Sequence, residues 1–95
     1  MAAYFIAYIN VSDPDRYAEY SKLAAPALKQ YGGKVLARGG AKFTLEGSFP
    51  YARVFVAEFP DAEAARRYHA SPEYQQAREK RLGAAEFNAI VVEAG

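Results

Sequence analysis

The chain has no cysteine and a single histidine among its 95 residues. Disulfides and thiolate metal sites are excluded, and one histidine without cysteine cannot build a tetrahedral metal set. A reducing, cytoplasmic location is the natural expectation. No basic N-terminal region followed by a long apolar run is present, so no signal peptide is expected. No apolar stretch approaches the length needed to span a bilayer, which removes a membrane from the expected partners. Neither charge sign is in excess: the formal net charge is +1. A nucleic-acid binder would show a basic stripe, and none is evident. The glycine pairs Gly32-Gly33 and Gly39-Gly40 lack the spacing and the lysine of a phosphate loop. Neither a metal nor another cofactor is expected.

Aromatic residues are abundant instead, with eight tyrosines and six phenylalanines. Each buries a large area, so a core is affordable at the length of one small domain, residues 1–95. Tyr4 to Val11 is apolar at nearly every position and reads as a buried strand. Ser12-Asp13-Pro14-Asp15 is a helix start, with Ser12 or Asp13 as cap and Pro14 in the first turn. Tyr17, Tyr20, Ala24, Ala27, Leu28 and Tyr31 then recur at three- and four-residue spacing as one helical stripe. Pro26 is expected to kink or restart that helix, and Gly32-Gly33 to end it in a left-handed cap. A second strand is expected over Lys34 to Arg38, resuming at Lys42 to Glu46. Arg53 to Phe59 reads as a third strand. Asp61 caps a helix to about Ala70, and Ser71-Pro72 restarts it at a new angle to about Leu82. Asn88 to Glu93 is the last strand.

The order strand, helix, strand, strand, helix, strand is the split βαβ pattern of a ferredoxin-like α+β sandwich: one antiparallel sheet with helices on one face. Helices on one face leave the other bare. Yet the first strand offers Phe5, Ala7, Ile9 and Val11 to one side and Tyr4, Ile6 and Tyr8 to the other. The third offers Phe55, Ala57 and Phe59 against Val54 and Val56. A bare apolar face is an aggregation hazard, and a second copy packed on it about a two-fold axis is the expected cover. A homodimer through the sheet face is therefore predicted.

Val11-Ser12-Asp13-Pro14, Tyr17-Ala18-Glu19-Tyr20, Tyr31-Gly32-Gly33, Arg38-Gly39-Gly40 and Ser71-Pro72-Glu73-Tyr74 followed by Arg81 occur in that order. Together they resemble the family called domain of unknown function 1330, over nearly the whole chain. The resemblance implies the dimeric α+β barrel superfamily, in which two ferredoxin-like subunits pack sheet to sheet. That superfamily includes cofactor-free monooxygenases, small isomerases and haem-dependent enzymes, while the family itself carries no agreed activity.

Arg38, an arginine at the end of a strand before two glycines, is the first candidate for a substrate contact. Its guanidinium can grip a carboxylate or enolate bidentately. The competing reading is an ion pair with Glu58 or Glu46. Tyr20 and Tyr8 are candidates to present hydroxyls to a cavity between helix and sheet, or to serve as amphipathic core aromatics. Asn10 could orient a ligand or close a sheet-edge hydrogen bond. Arg81 could reach a cavity mouth or stand as a solvated charge. Glu58, His69 and Tyr20 are the candidate proton carriers, His69 alternatively being a solvated residue in a last helical turn. Ser71 is better explained as a helix cap than as a nucleophile. The resulting expectation is a small cofactor-independent enzyme, monooxygenase- or isomerase-like, acting on a compact oxygen-bearing substrate. The alternatives are a non-catalytic small-molecule binding or sensing module and a structural dimer without ligand.

Overall fold

A computed structural model describes residues 1–95. Seven elements follow one another: β1 (Ala3–Val11), α1 (Pro14–Gln30), β2 (Lys34–Arg38), β3 (Arg53–Phe59), α2 (Ala62–Ala70), α3 (Pro72–Arg81) and β4 (Ala85–Glu93). The strands form one sheet in the order β2-β3-β1-β4, antiparallel at every pairing. This is the ferredoxin-like arrangement the element order implies. No helix is long and apolar enough to cross a membrane.

The alternation along β1 decides the core. Ala3, Phe5, Ala7 and Ile9 are buried under the helices, while Tyr4, Ile6, Tyr8 and Asn10 are only half-buried on the opposite, open face. Directly opposed residues of an antiparallel pair share a face. Ala57 and Phe55 therefore join Phe5 and Ala7 inside, and Val56 and Val54 join Ile6 and Tyr8 outside. Tyr17, Tyr20, Ala24, Ala27 and Leu28 of α1 complete the core with Ala64, Ala65 and Tyr68 of α2 and Tyr74 and Ala77 of α3.

Each helix start has a side-chain cap. The Asp13 carboxylate accepts from Arg16 N, the Asp61 carboxylate from Ala64 N, and Ser71 Oγ from Tyr74 N. Pro72 directly after Ser71 fixes the restart between α2 and α3. The expected break at Pro26 is absent, and α1 runs through it to Gln30. Pro26 and Lys22, whose carbonyl loses its amide partner, both lie on the exposed side, where solvent can take the freed bond. Gly32 turns the chain out of α1 at φ +88°. At the far end Arg16 Nη2 donates to Leu82 O, tying the start of α1 to the end of α3.

The second half of the expected second strand is not formed. Lys42 to Glu46 is exposed loop that bends at Leu45-Glu46, because β3 begins only at Arg53 and offers nothing opposite it. Phe43 and Leu45 are left 83% and 87% exposed. The loop's return is anchored on the open face: Asn10 Nδ2 donates to Pro50 O, and Asn10 Oδ1 accepts from Ala52 N.

Candidate functional site

Between α1 and the strands β2 and β3 lies a partly open cavity of about 390 Å³. That is within the range of about 300–1,000 Å³ usual for small-molecule sites. Its floor is apolar, built from Ile9, Val35, Phe55 and Phe87, and α1 contributes Tyr17, Tyr20 and Ala24. Arg38 and Arg53 stand at its rim, and Tyr68 of α2 closes one wall. No carboxylate and no histidine lines it.

A β-bulge puts Arg38 there. Val35 opposes Ala57, but Ala37 opposes Val56 and Arg38 opposes Phe55, so Leu36 is an extra residue in the ladder. One inserted residue reverses the alternation. Without it Arg38 would point to the open face; with it the side chain shares the inner face with Phe55. The bulge therefore precedes Gly39-Gly40. Gly39 instead takes φ +61° and leads the chain out of β2. The alternative ion pair is not formed: the one ion pair within 4.0 Å is Arg67–Glu63 on the surface of α2. Glu58 lies opposite Lys34 and Tyr4, on the face away from the cavity, and so cannot be its proton carrier.

Tyr20 is in the cavity wall as expected, and Tyr8 is not. Tyr8 is on the open face, with its ring 5.3 Å from Phe49 and 5.8 Å from Tyr51. Asn10 shares that face and closes hydrogen bonds to the returning loop and, at 3.2 Å, to Glu86. His69 lies in a separate shallow groove between α2 and β4, its ring 5.2 Å from Tyr74. Partial burial and then Arg78 and Arg81 hold its pKa below the usual imidazole value.

Arg81 departs furthest from expectation. It is neither solvated nor at a cavity mouth, but 6% exposed. Its guanidinium carbon sits 3.7 Å from the centre of the Phe87 ring and 5.2 Å from that of Tyr20, directly behind two rings of the cavity wall. Its Nη2 donates to the Tyr74 hydroxyl at 3.1 Å, and its Nε finds no partner. Tyr74 and Tyr20 hydroxyls lie 3.1 Å apart. Arginine can only donate, so the Tyr74 oxygen accepts from it, while between Tyr74 and Tyr20 either hydroxyl can be the donor. The hydrogen-bonded chain thus runs from Arg81 through Tyr74 to Tyr20, a residue of the cavity wall.

The sequence reading passed over Arg53, Tyr17 and Tyr68 as site residues. Arg53 pairs with Ile9 on the inner face, and its guanidinium carbon is 5.3 Å from the Tyr17 ring centre. An arginine in phase with Phe55, Ala57 and Phe59 was the available signal. Burial raises the pKa of Tyr20 and Tyr68, reinforced in both by Tyr74. Burial also raises that of Tyr17, with Arg53 and Arg81 drawing it back. All three hydroxyls stay protonated at neutral pH and can donate hydrogen bonds, not accept protons.

Fold and cavity together define a ferredoxin-like α+β protein with a small-molecule-sized cavity beneath its first helix. The chain belongs to the family described as Domain of unknown function (DUF1330), whose model matches residues 2–95. No curated protein matches it at a significant level. Among solved structures it is similar to a protein of unknown function from Rhodopseudomonas palustris, with 22% identity and a TM-score of 0.79 over 99% of this chain and 82% of that one. It is also similar to a dimeric ferredoxin-like protein of unknown function from Jannaschia sp. CCS1, with 16% identity and a TM-score of 0.79 over 99% of this chain and all of that one. A third is SnoaB, a cofactor-independent oxygenase from Streptomyces nogalater, with 16% identity and a TM-score of 0.70 over 99% and 93% of the two chains. At these identities the likeness is one of fold.

Proposed function

We propose that the protein is a homodimeric, cofactor-independent enzyme of the oxygenase or isomerase kind, acting on a compact, largely apolar, oxygen-bearing substrate in the cavity under α1. The observation that carries this reading is the cavity itself: an apolar floor with Arg38 and Arg53 free of acidic partners at the rim. Apolar surface binds the body of such a molecule, and the guanidinium groups fix its oxygen. SnoaB, with the same fold, is a cofactor-independent oxygenase. The bare sheet face supports the dimer. Val56, Ile6 and Ile90 stand in register across three strands, with Ile90 still 50% exposed, and the Jannaschia protein of the same fold is dimeric. A cytoplasmic location suits a chain without cysteine.

A second reading, a binding or sensing module, is favoured by the lack of any group in the cavity that accepts a proton at neutral pH. The test is a thermal-shift screen of small oxygenated aromatics and carboxylic acids, run on the wild type and on Ala24→Phe, which fills the cavity from α1. Hits must stabilise the wild type and leave the variant unmoved. Hits incubated with air-saturated wild type are then followed by mass spectrometry. Conversion supports the enzyme, and binding without conversion supports the module. Equal stabilisation of both proteins, or no hit, overturns the cavity as the site.

A further inference from the structure

The charges around the cavity are all of one sign. On β2 and β3 the rim carries Arg38 and Arg53, and behind the wall α3 contributes Arg81. From α1 and α2 the facing titratable groups are Tyr17, Tyr20 and Tyr68, and β4 contributes the uncharged Phe87. Arg81 is the unusual member. A guanidinium is normally buried only against a carboxylate, since removing it from water costs several kcal/mol. Here its neighbours are two rings and one hydroxyl, and its Nε has no partner at all. Ring faces and a hydroxyl offset part of the desolvation but neutralise none of the charge. In a low-dielectric wall that field reaches across Phe87 and Tyr20 into the cavity with little screening.

A second observation is independent of the arginines. Tyr17 and Tyr68 line the same cavity, are 8% and 2% exposed, and their hydroxyls bond to no protein group. Arg81 Nε is the one fully buried side-chain polar atom without a partner, so both tyrosine oxygens, unpaired as they are, remain accessible to whatever occupies the cavity. Two unengaged donors facing an apolar space beneath an excess of positive charge constitute a receptor for an oxygen anion.

Resting on the proposed small-molecule site, we infer that the cavity takes its ligand in anionic form: a flat, apolar molecule with one acidic oxygen, either a carboxylate or an enol or phenol that ionises on binding. The oxygen anion lies between the rim arginines and the tyrosine hydroxyls, and the apolar body lies on Phe55 and Phe87. When an enol or phenol binds, its O–H proton leaves to solvent, because no lining residue can take it. The arginines are permanently charged, and the tyrosines are already protonated.

The test uses 4-nitrophenol, whose ionised form alone absorbs visible light, with nitrobenzene as its neutral counterpart. A cation within about 4–6 Å lowers the pKa of an acid by about 1–3. Titrated with wild-type protein near its own pKa, the probe must turn to the coloured form. It must also bind about tenfold or more tighter than nitrobenzene, since each unit of pKa is a tenfold preference. Arg38→Gln and Arg53→Gln together, both at exposed positions, must abolish the preference while nitrobenzene affinity holds. Arg81→Met must reduce it if its fold, checked by circular dichroism, is intact. If probe and nitrobenzene bind equally and the probe's pKa does not move, anion selection is wrong and the cavity remains a ligand site. If neither compound binds the wild type better than Ala24→Phe, the ligand site itself is refuted, and anion selection with it.

Discussion

Deleting one oxygen atom from two different tyrosines should have very unequal consequences. Tyr74 and Tyr68 are both fully or almost fully buried, and their ring centres are 4.7 Å apart. The Tyr74 hydroxyl accepts from Arg81 and contacts Tyr20, each at 3.1 Å. The Tyr68 hydroxyl bonds to nothing in the protein. Tyr74→Phe therefore removes a hydrogen bond from a charged donor, about 1.5–3 kcal/mol, and a neutral one, about 0.5–1.5 kcal/mol. It also strips the buried guanidinium of its only hydrogen-bond acceptor. A total of about 3 kcal/mol is expected, and at roughly 4–8 °C per kcal/mol for a domain of this size the Tm falls by roughly 12–24 °C. Tyr68→Phe is expected to leave stability within about 0.5 kcal/mol, because no bond is lost. Differential scanning calorimetry at matched protein concentration measures both. Equal losses in the two variants would refute the hydrogen-bond chain from Arg81, as would a Tyr74→Phe protein as stable as the wild type.

The open face gives a second expectation. Burying the exposed half of Ile90 is worth about 1 kcal/mol per protomer and twice that in a symmetric pair. Ile90→Asp forfeits this and adds two unpaired carboxylates, so the dimer dissociation constant should rise more than a hundredfold by sedimentation; a wild-type monomer at micromolar concentration would sink the dimer outright. Alkaline pH gives a third. Tyr17, Tyr20 and Tyr68 have pKa values raised by burial, so their contribution to stability is fully present below the unfolded-state value of 10.0 and is lost as pH rises above it. Tyrosinate absorbance should therefore rise in two stages, the second coincident with loss of the circular-dichroism signal; ionisation of every tyrosine before unfolding would contradict the burial. Asp61→Ala, which removes the cap of α2, should cost about 1 kcal/mol in urea unfolding; no change would mean that the bond to Ala64 N contributes nothing.

The sequence discloses those features whose signal is local and periodic. Alternation in β1 and β3 sorts the two sheet faces, and Ser71-Pro72 marks the restart between α2 and α3, because each is written in adjacent residues. Pro26 misleads for a reason of position: a proline on the solvent side of a helix surrenders a bond that water replaces. Lys42 to Glu46 misleads because strand propensity does not supply a pairing partner, and β3 begins too late to be one. Arg81 was illegible because its burial depends on Phe87 and Tyr20, which reach it from other elements.

Arg38 shows why a site can hide in plain sequence. Strict alternation through Lys34-Val35-Leu36-Ala37-Arg38 puts Lys34, Leu36 and Arg38 on one face, the face that also carries Glu58 opposite Lys34. The extra residue at Leu36 breaks that pattern and moves Arg38 to the other side of the sheet from Glu58. A bulge that only relieved strain could leave an alanine or a serine there equally well. This one re-aims a cation, from the face that carries Glu58 toward a cavity lined by no acid. Arg53 reaches the same rim from β3 by ordinary alternation, and Arg81 approaches from behind through α3. Three elements with no shared sequence signal thus deliver positive charge to one apolar space. No pairing within the chain requires that convergence, and an anionic ligand supplies what the three arginines otherwise lack.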